Sequence, residues 1–135
     1  MTEQYHVLVV EDEKYWREAV FREALEDAGY LVRTCSDYAE AVAALDERAF
    51  DLVVIDVNLT GIAGNRDGVR VLEHMAALGH RSLSIVVSGS KTRAMAMEST
   101  ARFRPLAFLD KTTFDVAKFV ALVTDSLAQA NPRTS

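Results

Sequence analysis

Between Val53 and Gly68 the chain reads VVIDVNLTGIAGNRDG. An apolar, β-branched run closes on a carboxylate, Asp56, and gives way to a stretch rich in glycine and polar residues. An ionised carboxylate is costly to bury, so a strand that ends on one has to deliver it to an open edge of its sheet. The rest of the sequence shows what else arrives there.

Four other short apolar runs resemble Leu52–Asp56: His6 to Val10, Tyr30 to Cys35, Leu83 to Val87 and Leu106 to Leu109. Their aliphatic, β-branched content predicts strands buried mostly on both faces. The segments between them have helical spacing. Val20, Phe21, Ala24, Leu25 and Ala28 fall on one face of a first helix, and Val116, Phe119, Val120, Val123 and Leu127 on one face of a last. Asp37 with Glu40, and Thr112 with Asp115, have the spacing of capping boxes for the second and fifth helices, while Gly29 and Gly79 stand where helices stop. The fourth helix, around Thr92 to Ala101, has the weakest pattern, with Ala94, Met97 and Ala101 as its expected buried face.

Strand and helix alternating five times predict an α/β protein, a doubly wound (βα)5 fold of the flavodoxin-like kind with five parallel strands in the order 2-1-3-4-5. At 135 residues, half of them hydrophobic and 26% charged, the chain has the size and composition of one globular domain. The expectation is a single domain over 1–135 with its core at about 5–128 and a loose tail at 131–135.

Charge and composition exclude several classes. A formal net charge of -5 argues against direct nucleic-acid binding, which needs a basic footprint. The segment Ser88 to Lys111 is locally +3, with Lys91, Arg93, Arg102, Arg104 and Lys111 against Glu98 and Asp110. The single cysteine, Cys35, lies in an apolar run and reads as a small core residue. The start MTEQYHVLVVEDE lacks the pattern of a signal peptide and no run is long enough to span a membrane, so the expected location is the cytoplasm.

In a doubly wound sheet ligands gather beyond the carboxyl ends of the strands. Strand one ends in Glu11-Asp12-Glu13, strand three in Asp56, strand four in Ser88-Gly89-Ser90, and strand five in Asp110-Lys111. In the predicted strand order these groups converge. Glu11, Asp12 and Asp56 cannot all be ionised together without a compensating cation, and an oxygen-only donor set suits a hard ion, Mg²⁺ or Mn²⁺. Lys111 supplies part of the compensation. Asp56 is then the natural nucleophile, since an aspartyl carboxylate can accept a phosphoryl group once metal and lysine neutralise its oxygens. Taken singly, each residue also has a structural reading: an acidic triplet opens a helix, and a lone aspartate or serine caps a turn. Their convergence favours chemistry.

As a set, HVLVVEDE, DLVVIDVNL, the Asp67-Gly68 pair, IVVSGS and AFLDK resemble the receiver domain of two-component response regulators over roughly residues 5 to 128. The resemblance implies that Asp56 takes a phosphoryl group from a sensor histidine kinase or a histidine phosphotransfer protein. It implies Mg²⁺ bound by Asp12, Asp56 and the backbone carbonyl of Asn58, with Glu11 acting through water, and Ser88 and Lys111 as contacts for the phosphoryl oxygens. Phe108 stands at the position of the switch aromatic, whose rearrangement alters the face built from helix four, strand five and helix five. Such a chain is a signalling phosphoacceptor rather than an enzyme.

This sequence departs from the family pattern in three places. LTGIAGNRDG has no proline after the acceptor and is longer than usual by about three residues. Thr112 follows Lys111 where many members have proline, and Phe108 lacks a tyrosine hydroxyl. Gly89 leaves the approach to the site open, and Asn58 and Ser90 are polar flanks expected to set the phosphoryl lifetime. Two other readings compete: a pseudo-receiver that binds partners without being phosphorylated, and a haloacid-dehalogenase-like phosphotransferase. Against the latter, Asn58 occupies the place of the second aspartate in D-x-D-x-[TV], the general acid.

Overall fold

A computed structural model of the chain describes residues 4–57 and 67–130. Its centre is a sheet of five parallel strands: β1 (His6–Val10), β2 (Leu31–Cys35), β3 (Leu52–Asp56), β4 (Leu83–Ser88) and β5 (Ala107–Asp110), ordered β2-β1-β3-β4-β5. Strand order reverses between β1 and β3. Register pairs Val10 with Ile55, Asp56 with Val87, and Ser88 with Asp110, so the strands finish nearly level. That common edge is where the polar ends named above are delivered.

Helices cover both faces. On one side α2 (Tyr38–Glu47), α3 (Asp67–Ala77) and α4 (Arg93–Thr100) enclose a core of Leu8, Val10, Val53, Ile55, Leu72 and Val86 with their neighbours, against which Phe103 and Phe108 are half-buried. On the other, α1 (residues 15–27) and α5 (Val116–Ala130) pack Phe21, Leu25, Phe119, Val123 and Leu127 onto Val7, Val9, Val54 and Val87. Alternate residues of β1, β3 and β4 thus serve opposite cores, the reason these runs are apolar throughout.

Helix α1 is wound in two parts, a π-helix over Tyr15–Arg22 and an α-helix over Glu23–Asp27. Trp16 and Phe21 are five residues apart, and ordinary α-turns would set them roughly 140° apart around the axis. The wider winding brings their rings to 5.7 Å, in a cluster with Phe114 and Phe119.

The predicted boundaries hold with small shifts. Tyr30 belongs to the close of α1, where its N–H donates to Leu25 O beside Gly29 at φ +95, and β2 begins at Leu31. Gly79 (φ +76) ends α3 in the same way, with the His80 N–H donating to Met75 O. Asp37 caps α2 by accepting the Glu40 N–H at 2.8 Å, while Glu40 reaches back to the Ser36 N–H at 2.6 Å.

Two expectations are corrected. Thr112 does not cap α5; Asp115 does, accepting the Lys118 N–H at 3.0 Å, because the helix begins three residues later than the spacing suggested. On α4 the buried residues are Ala96 and Thr100, and Ala94, Met97 and Ala101 are exposed. Thr100 can be buried because its hydroxyl donates to Ala96 O at 2.6 Å, which satisfies its polarity within the helix.

Candidate functional site

The carboxyl edge of the sheet gathers Glu11 and Asp12 after β1, Asp56 at the end of β3, Ser88 at the end of β4, and Lys111 just beyond β5. One carboxylate oxygen from each of Glu11, Asp12 and Asp56 lies within 4.8 Å of the others. Glu11 and Asp56 are buried, at 1% and 6% exposure, and Ser88 is buried beside them in sequence register with Asp110. The Lys111 ammonium enters this cluster from across the sheet. Its Nζ lies 2.7 Å from Glu11 Oε1, 3.0 Å from Asp56 Oδ2 and 3.7 Å from Glu13 Oε1.

One ammonium does not balance this many carboxylates. Burial, and then the charge of Asp56, push the Glu11 carboxyl up to about 8, against the smaller opposing pull of Lys111. The Lys111 ammonium is held above its ordinary range, with Asp56 and Glu11 outweighing the cost of burying it. Glu11 Oε1 is buried and, although ion-paired to Nζ, accepts no aligned hydrogen bond. A buried acidic group that is driven toward its neutral form, next to two more carboxylates, is a donor set short of positive charge. A hard divalent cation such as Mg²⁺ fits it.

Neighbouring residues hold the cluster in place. Arg17, the third residue of the π-wound segment, donates from Nη1 to the main-chain oxygens of Glu11 and Asp12, both at 3.1 Å, and its Nε pairs with Glu18 at 3.0 Å. The acidic loop is therefore tied by its backbone, leaving the carboxylates to face the site. The Trp16 ring flanks Lys111, its centroid 5.3 Å from Nζ. At the start of α3, Gly68 touches the chain directly after Asp56: a Cβ there would stand 2.4 Å from Val57 Cα and 2.7 Å from Asp56 O. Only glycine allows this approach. Gly89 faces open space, with nothing within 4 Å of an added Cβ.

Sequence reasoning had placed Glu11, Asp12, Asp56, Ser88 and Lys111 at this edge, and all of them are found there. Phe108 lies on β5, half-buried against the α4 side. Asn58 and the loop 59–66 lie outside the described residues, as does the tail 131–135. Ser90 is occupied rather than open to the site: its hydroxyl donates to Asp110, and Thr112 joins the same group. The parts played by Trp16 and Arg17 were missed, since each acts on residues whose proximity only the fold creates. Cys35 is buried in the core, as expected.

A doubly wound five-stranded sheet carrying an acidic cluster and a reaching lysine at its carboxyl edge is the architecture of a signal receiver. The sequence matches the response regulator receiver domain family over residues 7–124, and the chain belongs to that family, which serves two-component signalling. The transcriptional regulatory protein FixJ of Bradyrhizobium diazoefficiens is 26% identical over 132 residues, which cover 98% of this chain and 61% of FixJ. The sensor histidine kinase RcsC of Salmonella typhimurium is 33% identical over 92 residues, 68% of this chain but only 9% of RcsC. This chain thus spans less than two thirds of the curated relatives it matches. Among solved structures, the receiver domain of NtrX from Brucella abortus superposes with a TM-score of 0.76 at 27% identity, covering 93% of this chain and 99% of that one.

Proposed function

We propose that this chain is a phosphoacceptor in which Asp56 takes a phosphoryl group from a phosphohistidine of a sensor histidine kinase or histidine phosphotransfer protein. The observation that carries the reading is the placement of Asp56 Oδ2, 3.0 Å from the Lys111 ammonium within the acidic cluster. An Asp56 oxygen attacks phosphorus as the phosphorus–nitrogen bond to the donor imidazole breaks, and that bond's electron pair returns to the ring nitrogen. Lys111 neutralises oxygens of the transferring group, and the Ser88 hydroxyl donates to another. Asp12 and Asp56 would hold Mg²⁺ or Mn²⁺ directly, with Glu11 acting through water, to supply the remaining positive charge. The backbone carbonyl of Asn58, which lies outside the described residues, would be the third protein ligand that the family resemblance implies.

The output face would be α4, β5 and α5. Met95, Met97, Leu106 and Val116 are exposed there, and Phe108 is packed beneath α4 where a rotamer change would be felt. Ser88 drawn toward a phosphoryl group would bias that face toward its partner-binding form. The partner is a protein, and no helix among the described residues is long and apolar enough to cross a membrane. The cytoplasm, where a kinase domain would meet it, is the expected setting.

The test is incubation with acetyl phosphate or beryllofluoride and Mg²⁺, read by intact mass and by spectral shift. A Mg²⁺-dependent adduct that disappears in Asp56→Asn is expected. An adduct that survives that substitution rejects Asp56 as the acceptor, and no adduct at all in the parent chain rejects the reading in favour of an unphosphorylated binding module.

A further inference from the structure

We infer that Asp110, Thr112 and Ser90 are positioning residues for Lys111, forming a strap that aims its ammonium at Asp56 and ties it to the loop carrying Ser88. The inference rests on the phosphoacceptor reading for its consequence, though its geometry stands apart.

Lys111 has an unusual distance to cover. It leaves the chain beyond β5, yet its Nζ contacts Asp56 on β3 and Glu11 after β1, with β4 lying between. Adjacent strands are about 4.8 Å apart, so β5 and β3 stand roughly 10 Å from each other, more than a lysine side chain alone can span, and the gap closes only because the Asp56 side chain meets the extended Lys111 at 3.0 Å. At that reach a small rotation of the Lys111 backbone would carry the ammonium away from both carboxylates. The backbone must be pinned close to its own Cα.

The residues on either side of Lys111 do this. The Asp110 side chain accepts the Thr112 N–H at 2.8 Å and the Thr112 hydroxyl at 2.7 Å, both on Oδ1, closing a tight turn around Lys111. The same carboxylate accepts the Ser90 hydroxyl at 2.9 and 3.1 Å, and the Ser90 and Thr112 oxygens lie 2.8 Å apart. Asp110 is buried, and these bonds hold its carboxyl below the usual range. It is the acidic residue next to Lys111 in sequence, yet its charge goes to hydroxyl and amide donors, leaving the ammonium to Glu11 and Asp56.

The strap also joins two loops. Ser90 is two residues from Ser88, and Ser88 is paired with Asp110 across β4 and β5. The hydroxyl and the ammonium proposed to grip one phosphoryl group are thereby carried by segments stitched together through one carboxylate. Movement of Ser88 toward a ligand would be transmitted to the turn that bears Lys111.

The experiment compares Thr112→Val, Thr112→Ser and Ser90→Ala with the parent chain in two measurements. The first is acetylation of Lys111 in the metal-free protein, followed by peptide mass with Lys14, Lys91 and Lys118 as internal references. Thr112→Val and Ser90→Ala should raise Lys111 labelling about fivefold relative to those references, with Thr112→Ser close to the parent. The second is Asp56 modification by acetyl phosphate at saturating donor, alongside Mg²⁺ affinity from Trp16 fluorescence. The rate should fall about tenfold in Thr112→Val while Mg²⁺ affinity stays within about twofold, and Thr112→Ser should recover the rate. Unchanged Lys111 labelling in Thr112→Val overturns the inference, as does a rate loss matched by an equal loss of Mg²⁺ affinity. If labelling responds as expected but the parent chain is never modified by acetyl phosphate, the strap stands and the phosphoacceptor reading falls.

Discussion

Gly68 and Val57 share a space that leaves no room for a side chain: a Cβ on Gly68 would lie 2.4 Å from Val57 Cα, with Asp56 O at 2.7 Å. The first turn of α3 is thereby wedged against the residue that follows the candidate phosphoacceptor. Both contacts are with backbone, which cannot swing aside as a side chain could. Gly68→Ala should destabilise the protein by about 1–3 kcal/mol in urea or thermal unfolding, the usual cost of overpacking. It should also slow Asp56 modification, since relief of the clash moves Asp56. Parent-like stability would mean that α3 can shift away at no cost.

Lys111 is the only cation that Glu11 and Asp56 are seen to share among the described residues. In Lys111→Met their buried acceptors lose that partner, which should cost about 1–3 kcal/mol in metal-free buffer. Added Mg²⁺ should return part of that stability, because a cation bound only to the folded state stabilises by about 2.7 kcal/mol at a hundred times its dissociation constant. Denaturant melts with and without Mg²⁺ decide the matter: the Mg²⁺-induced gain should be at least as large in the variant as in the parent.

Cys35 is buried, and desolvation raises its thiol to about 11. The reactive thiolate is the minor form below that value, so at pH 8 roughly one thiol in a thousand is ionised in the folded state. Iodoacetamide labelling should be slow at pH 8 in native buffer and become fast on unfolding. As pH rises toward 11 the native rate should climb; rapid labelling at neutral pH would show that the site opens locally.

The Asp37 cap of α2 accepts the Glu40 N–H, and Glu40 returns to the Ser36 N–H and hydroxyl. Asp37→Ala should cost about 1 kcal/mol, measured by chemical denaturation. Asp37→Asn keeps an acceptor and should cost clearly less.

What could be read from the chain alone follows from periodicity. Strands buried on both faces are written as unbroken apolar runs, so Leu52–Asp56 and its counterparts stand out, and the strand-end residues Asp56, Ser88 and Lys111 follow from them. The errors arise where the deciding interaction is not periodic. Thr100 is buried because its hydroxyl bonds within its own helix, a fact no hydropathy value carries. Thr112 and Asp115 have capping-box spacing, but Asp110 claims Thr112 first. Trp16 reads as one more apolar residue on a helix, yet the π-winding and the return of β5 place it over Lys111, far away in sequence. Such contacts come from tertiary structure and leave no local signature.

The two cores differ in a way that sets where the molecule gives. Beneath α1 and α5 the rings of Trp16, Phe21, Phe114 and Phe119 interlock, whereas α4 commits only Ala96 and Thr100 to the interior. Amide protons of α4 should therefore exchange with solvent through a local opening of low free energy, while those of α5 and β3 wait for opening of the whole domain. The energy needed to unseat α4 is then a small fraction of the folding free energy, and under the proposed phosphoacceptor function a single phosphoryl group would redistribute its conformations without threatening the rest of the structure.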